Sequence, residues 1–101
     1  MAHVHTVHVT LRDPSTLNRC RTAMESMRGQ IHGMLDLRVI VNELAGDRAA
    51  HLALTTTWHD VEAYHAYETD PVHLEVRALV LELMESASTI DYSVDDTGSF
   101  S

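Results

Sequence analysis

The sequence predicts an α+β protein with a ferredoxin-like βαββαβ order of elements and one four-stranded antiparallel sheet. Four segments alternate apolar and polar residues with a period of two, as strands do. Two further segments repeat apolar residues at spacings of three and four, as amphipathic helices do, and turn-forming residues separate all of these segments. At 101 residues the chain is one domain, which we assign to residues 1–95, with a polar tail at 96–101.

Residues 3–11 predict the first strand. One strand face carries His3, His5, Val7, Val9 and Leu11, and the other carries Val4, Thr6, His8 and Thr10. Asp13 and Pro14 then supply an N-cap and a first-turn proline for a helix. Its apolar side is formed by Leu17, Cys20, Ala23, Met24 and Met27. Gly29 is expected to end this helix.

The next two strands are predicted to form a hairpin. Residues 35–42 place Leu35, Leu37, Val39 and Val41 on one face. Ala45-Gly46-Asp47 is typical of a turn. The third strand, at 50–58, places Leu52, Leu54 and Trp58 opposite Ala53, Thr55 and Thr57.

The second helical region is expected to contain a break. Asp60 is placed to cap a short helix that contains Tyr64. Pro71 lacks a backbone N–H and disfavours helical geometry at Asp70, so a second helical piece should begin at Pro71, with Asp70 as its cap. Its apolar residues are Val72, Val76, Leu79, Val80 and Leu83. A last strand is predicted at 89–94.

The predicted sheet is substantially apolar on both faces. The helices cover one face, and the other keeps enough apolar residues that water is an unfavourable neighbour. A second sheet from a copy of the same chain would bury this face. We therefore expect a homodimer, joined through its sheet faces into an α+β barrel that encloses a cavity.

Charge and cysteine content restrict the partners and the compartment. The chain has 7 basic and 15 acidic residues, a formal net charge of −8, and its arginines are dispersed. This balance repels phosphate backbones and anionic lipids, so we expect no nucleic-acid and no membrane partner. No apolar run approaches the roughly 20 residues that span a bilayer. Without a secretory signal, and with Cys20 as a single buried thiol, the chain is expected to be cytoplasmic.

The stretch from Tyr67 to His73 brings together groups that can exchange protons with a bound molecule. An unperturbed histidine has a pKa near 6.5, so His73 can act as a base or an acid at neutral pH. The structural alternatives are a helix-start histidine that hydrogen-bonds to the backbone or to Asp70, and a Tyr67 phenol that packs against the sheet.

The amino-terminal histidines raise a metal hypothesis that we do not adopt. His3 and His5 share a strand face with Cα atoms about 6.6–7 Å apart, but His8 points the other way. A catalytic zinc site normally has three protein ligands, and here the third would have to come from His73 or a partner subunit. The sequence also contains no phosphate-binding glycine loop, nucleophile elbow, Cys-x-x-Cys or His-Glu-x-x-His motif. We expect no metal and no cofactor.

Several pieces of the sequence, in this order and spacing, resemble a known family. They are His5, the 29–33 segment Gly-Gln-Ile-His-Gly, the third strand from Ala53 to Trp58, the stretch from Tyr67 to His73, and Asp91-Tyr92. Together they cover about residues 3–94 and resemble the stress-responsive α/β-barrel family. The resemblance implies a ferredoxin-like protomer that dimerises sheet to sheet.

One plant branch of that family looks like a set of polyketide cyclases, which close linear polyketides by aldol condensation. The resemblance implies that Tyr67 and His73 correspond to the catalytic pair of that branch and His5 to a pocket histidine. The chain departs from the branch at Asp70, where the branch has histidine, and at Leu52, where it has a second pocket histidine. His51 is one place away and so points to the opposite strand face.

The sequence thus predicts a homodimeric protein that binds a small organic ligand in the barrel cavity. The predicted catalytic residues are His73 and Tyr67, and the predicted ligand-binding residues are His5, Val7, Leu54 and Trp58. His73 would abstract a proton alpha to a carbonyl and Tyr67 would donate to the developing oxyanion, in a cofactor-independent cyclase, lyase or isomerase step. Two alternatives stay open: a non-catalytic stress-response or assembly protein, and a cofactor-independent monooxygenase of the related dimeric barrel type.

Overall fold

A computed structural model of the chain describes residues 1–95, and the predicted tail at 96–101 lies outside the described residues. The elements are β1 (Ala2–Leu11), a 3-10 turn (Pro14–Thr16), α1 (Leu17–Glu25), β2 (Met34–Val41), β3 (Leu52–Trp58), α2 (Val61–Glu68), α3 (Pro71–Leu83) and β4 (Met84–Val94). The strands form one antiparallel sheet in the order β2-β3-β1-β4. The predicted α+β fold is confirmed.

Three aspartates start the helical segments, as the sequence predicts. Asp13 accepts the Ser15 backbone N–H at 2.9 Å before the 3-10 turn. Asp60 and Asp70 do the same for α2 and α3, each at 2.8 Å from a backbone nitrogen of the first turn. Asp70 is therefore a helix cap, and the break that it makes with Pro71 separates α2 from α3.

The core lies between the helices and one face of the sheet. Its fully buried residues include Val9, Leu37, Leu52 and Trp58 from the strands, and Cys20, Met24 and Met27 from α1 and the turn after it. The predicted burial of Cys20 is confirmed, and burial raises the pKa of its thiol. Such apolar burial is the main favourable contribution to folding.

Two strand predictions are wrong in detail. The register between β2 and β3 shifts between Met34 and Asp36, so Leu35 is the extra residue of a bulge and is 62% exposed instead of facing the core. The last strand begins at Met84 rather than residue 89, because β4 pairs with β1 as far as Leu11. Residues 84–88 carry no strand alternation, so their strand conformation comes from this pairing.

The open face of the sheet keeps apolar side chains in contact with solvent. Ile90 pairs with Thr6, and Ile40 pairs with Ala53, so both lie on the face away from the helices. They are 58% and 53% exposed. Among residues 1–95, no helix is both long enough and apolar enough to cross a bilayer.

We expect Gly33→Ala to lower the free energy of unfolding by about 2–4 kcal/mol, because it combines backbone strain with overpacking. Gly33 has a φ of 84°, and a Cβ there would lie 2.8 Å from the Ala63 Cβ of α2. Gly29 has a φ of 74° with open space around it, so Gly29→Ala should cost only about 1–2 kcal/mol. Equal losses for the two variants in denaturant unfolding would contradict the role of the Ala63 contact.

Candidate active-site pocket

A pocket of about 550 Å³ lies between the helices and the sheet of one protomer. This volume suits a small-molecule ligand. From the sequence, the ligand is expected in the cavity of a two-subunit barrel, and in the structure the predicted residues line a pocket within a single chain. His5, Val7 and Val9 are alternate residues of β1 and therefore share one strand face. All three line the pocket together with residues of α1 and α3, so this face is the one that the helices cover.

The pocket combines an apolar body with a small polar group of side chains. The apolar lining is Val7, Val9, Met24, Met27, Leu54, Leu74, Val76, Val80, Leu81, Met84 and Ala87. The polar lining is His5, Tyr64, Tyr67, Glu68, His73, Arg77 and Thr89. Such a lining suits a mainly apolar molecule that carries one or two polar groups.

Tyr67 and His73 are stacked on each other at this polar region. Tyr67 is in the last turn of α2 and His73 is in the first turn of α3, and the Asp70–Pro71 break allows the two rings to meet. Their centroids are 3.9 Å apart, with planes inclined by 32°. The Tyr67 ring also packs against the Trp58 ring, with the two centroids 4.5 Å apart.

The surroundings of His73 favour its neutral form. Burial lowers the pKa of His73, the Arg77 and His5 charges lower it further, and hydrogen bonds to the Glu68 and Tyr67 backbone only partly offset this. The Nδ1 atom lies 3.4 Å from the Glu68 carbonyl oxygen, which can only accept, so Nδ1 carries the proton. The Nε2 lone pair is then available to act as a base.

The Tyr67 hydroxyl is suited to donate a hydrogen bond. Burial, with a smaller effect of Tyr64, raises its pKa, so the phenol keeps its proton at neutral pH. Within residues 1–95, every fully buried side-chain oxygen or nitrogen has a hydrogen-bond partner. The Tyr67 hydroxyl forms no hydrogen bond with these residues, so it is not fully buried. The hydroxyl is therefore accessible, and Tyr67 is one of the residues that line the pocket.

His5 is held by a carboxylate on the neighbouring strand. His5 and Asp91 are directly paired between β1 and β4, and the His5 Nδ1 lies 2.8 Å from Asp91 Oδ1. The same oxygen lies 2.9 Å from His3 Nε2. Burial raises the Asp91 pKa, but the hydrogen bonds and charges of the two histidines outweigh it and hold the pKa below its usual value. Ionised Asp91 thus accepts from His5 Nδ1 and leaves the His5 Nε2 for the pocket.

Asp91 also accounts for the contacts of His3 and His5, the pair behind the metal hypothesis. Both histidines hydrogen-bond to the same Asp91 oxygen. Within the described part of the chain, no group of three His, Cys, Asp or Glu side chains has an arrangement that could hold a metal ion.

Tyr64 is a further pocket residue, beyond those predicted from the sequence. Its ring centroid lies 4.7 Å from that of His5 and 5.9 Å from that of Tyr67. Burial, with the charges of Asp91 and Glu68, raises its pKa to about 12, so it is a second neutral phenol. Its position three residues before Tyr67 places both on one helix face, which is the signal that could have identified it.

Five of the six predicted site residues line this pocket: His5, Val7, Leu54, Tyr67 and His73. Trp58 does not, which corrects its interpretation as a ligand-binding residue. It is 0% exposed, and its indole N–H donates to the Thr56 hydroxyl at 2.9 Å. Trp58 supports Tyr67 from within the core. His51 also lies outside the pocket lining, where its Nδ1 accepts the Leu11 backbone N–H at 2.8 Å.

We expect Asp91→Asn to release His5 from its fixed tautomer. An amide oxygen accepts less strongly than a carboxylate, so the Nδ1–H form should lose population, which ¹⁵N NMR of the imidazole detects. The cost in stability should be about 1 kcal/mol, because the carboxylate is partly exposed. Asp47→Asn, in the exposed β2–β3 connection, is the matched control. An unchanged His5 spectrum would contradict the positioning role of Asp91.

The βαββαβ order, the single antiparallel sheet and the helices on one of its faces define a ferredoxin-like α+β domain with a pocket between helices and sheet. The profile of the family described as the stress responsive A/B barrel domain matches residues 4–94. The chain belongs to this family. A search of curated protein sequences finds no match.

Solved structures with the same fold include three informative cases. A member of the same family from Mesorhizobium loti is 23% identical, with a TM-score of 0.78, covering 91% of this chain and 95% of that one. A dimeric protein of unknown function and ferredoxin-like fold from Bacteroides fragilis is 22% identical, with a TM-score of 0.77 and the same coverage. The hydroxynitrile lyase of Passiflora edulis is 12% identical, with a TM-score of 0.80 and 94% coverage of each chain. At these identities the likeness establishes a shared fold.

Proposed function

We propose that this protein is a homodimer whose pocket binds a small, mainly apolar carbonyl compound and moves a proton at the carbon next to the carbonyl. The observation that carries the proposal is the contact between Tyr67 and His73, 3.9 Å between ring centroids, at the polar region of a ligand-sized pocket. A neutral imidazole beside a protonated phenol is a base next to a hydrogen-bond donor.

The proposed step needs no cofactor. The ligand's α C–H bond breaks, its proton goes to His73 Nε2, and the electron pair moves onto the carbonyl oxygen as an enolate. The Tyr67 hydroxyl donates a hydrogen bond to that oxygen as its charge develops. The proton then returns from His73 to the same or another carbon, or the enolate carbon attacks a second carbonyl and the alkoxide that forms takes up the proton. Exchange, isomerisation and aldol closure share this first step.

The apolar body of the pocket would bind the rest of the molecule. Burying apolar ligand surface against these side chains stabilises the complex and keeps water away from the base. His5, oriented by Asp91, and the Tyr64 phenol are further groups that can hydrogen-bond to ligand oxygens. The hydroxynitrile lyase of the same fold supports a lyase among the candidate activities.

The proposed dimer would use the open face of the sheet. Ile40 and Ile90 are more than half exposed there, and burying them against a second copy would be favourable. The Bacteroides fragilis protein of the same fold is described as dimeric. A cytoplasmic location is part of the proposal, since a single buried cysteine suits a reducing compartment.

Proton exchange in heavy water tests the chemistry without knowledge of the natural substrate. Phenylacetone at millimolar concentration is incubated with the protein in D₂O at neutral pH, and loss of the benzylic proton signal is followed by NMR. We expect exchange that saturates with ketone and exceeds that in buffer with an equal concentration of imidazole. His32→Gln, which changes an exposed histidine outside the pocket lining, should exchange at the wild-type rate. Saturable binding of phenylacetone without exchange would favour the non-catalytic alternative.

A further inference from the structure

The pocket contains a cation that the proposed proton transfer does not use. Arg77 lines the pocket and follows His73 by four residues on α3, so the two share a helix face about 6 Å apart along the axis. Within residues 1–95 Arg77 forms no ion pair or hydrogen bond. By contrast, Arg28 binds Glu25 at 2.9 Å and Arg38 binds Asp36 at 3.2 Å.

The charges around Arg77 leave it available to a ligand. The carboxylate in the described lining is that of Glu68, and its Oε1 is bonded to His65 Nδ1 at 2.8 Å. The remaining polar lining consists of neutral or donor-bearing groups, including the Tyr64 and Tyr67 phenols. The whole chain carries a net charge of −8 and repels anions in general, so an anion would need this local cation to enter.

We infer that the ligand is an organic anion, an apolar carboxylic acid that also carries a carbonyl group, and that Arg77 binds its carboxylate. A guanidinium presents a planar pair of N–H donors that matches a carboxylate. With the carboxylate at Arg77, the carbonyl would lie one helical turn back, at Tyr67 and His73, and the apolar chain would fill the pocket body. The inference rests on the proposed function and assigns its substrate class.

Octanoate and octanamide test the inference, because they have the same length and differ in charge. Affinities are measured by NMR titration at low ionic strength for the wild type, Arg77→Gln and Arg19→Gln. Arg19 is an exposed α1 residue outside the pocket lining, so its variant matches the change in net charge. We expect the wild type and Arg19→Gln to prefer octanoate about tenfold, and Arg77→Gln to lose that preference while binding octanamide as before.

The outcomes separate the two proposals. If the wild type binds both probes equally, or if Arg77→Gln keeps the preference for octanoate, the assignment of Arg77 is overturned while ligand binding in the pocket stands. If the wild type binds neither probe, the pocket is not a site for such molecules, and the inference falls with the proposed function. Added salt should weaken the octanoate preference.

Discussion

Replacing His73 with glutamine is expected to slow exchange of the benzylic protons of phenylacetone by about 10²–10⁴-fold, the usual contribution of a general base. Glutamine can still donate to the Glu68 carbonyl, so it preserves the local hydrogen bond while removing the titratable nitrogen. NMR exchange rates at saturating ketone report the loss, and His32→Gln controls for the substitution itself. A wild-type rate in His73→Gln would remove His73 from the mechanism.

The pH profile gives a second readout of the same residue. Because the pKa of His73 lies below 6.5, its basic form should dominate at neutral pH. The wild-type rate should be level there and fall as the pH drops through the lowered pKa, whereas residual exchange in His73→Gln should lack this dependence. As the pH falls, the unfolded chain protonates His73 at a higher pH than the folded chain does. The free energy of unfolding of the wild type should therefore also decline as the pH falls from about 6.5 through the lowered pKa. Exchange that rises on acidification would contradict the base assignment.

Replacing Trp58 with alanine is expected to lower the free energy of unfolding by about 3–5 kcal/mol, the range for deleting a buried aromatic side chain. Trp58 is fully buried, its indole N–H is bonded to Thr56, and its ring packs on Tyr67. Alanine would leave a cavity and remove the hydrogen bond that the Thr56 hydroxyl accepts from the indole. Denaturant unfolding followed by circular dichroism measures the loss.

Trp58→Phe separates the loss of ring packing from the loss of the indole hydrogen bond. Phenylalanine keeps a ring against Tyr67 and loses the indole hydrogen bond, so its cost should be smaller, about 1–2 kcal/mol. Leu35→Ala, at the exposed bulge of β2, should change stability by less than about 0.5 kcal/mol. A Trp58→Ala loss as small as that of Leu35→Ala would show that the core does not depend on this ring.

Much of the fold could be predicted because its signals are local. Asp60 and Asp70 are helix caps in the structure as in the sequence, since a cap needs only residues within one turn. The break at Pro71 follows from the missing backbone N–H. The wrong details, Leu35 and the early start of β4, depend instead on how strands pair. A bulge or an extended ladder is decided by the partner strand, which lies far away in sequence.

The site follows the same division. Tyr67 and His73 were selected by their chemistry, their spacing and the family resemblance, and Tyr64 could have been added from its helix face. Asp91 could not have been assigned to His5 from spacing, because the two are 86 residues apart and meet only through the register of β1 and β4. The depth of Trp58 could not be predicted, because alternation shows which strand face a residue occupies but not how deep it lies.

By itself, the sequence determined the element order, the helix caps, the break before Pro71 and the residues able to exchange protons. These follow from hydrogen bonds and steric limits within a few residues. Only the tertiary structure decided that the pocket lies on the helix side of the sheet, that Asp91 holds His5, and that Arg77 shares the pocket with His73. Those facts depend on strand register and helix packing, where groups distant in the chain set one another's burial and charge.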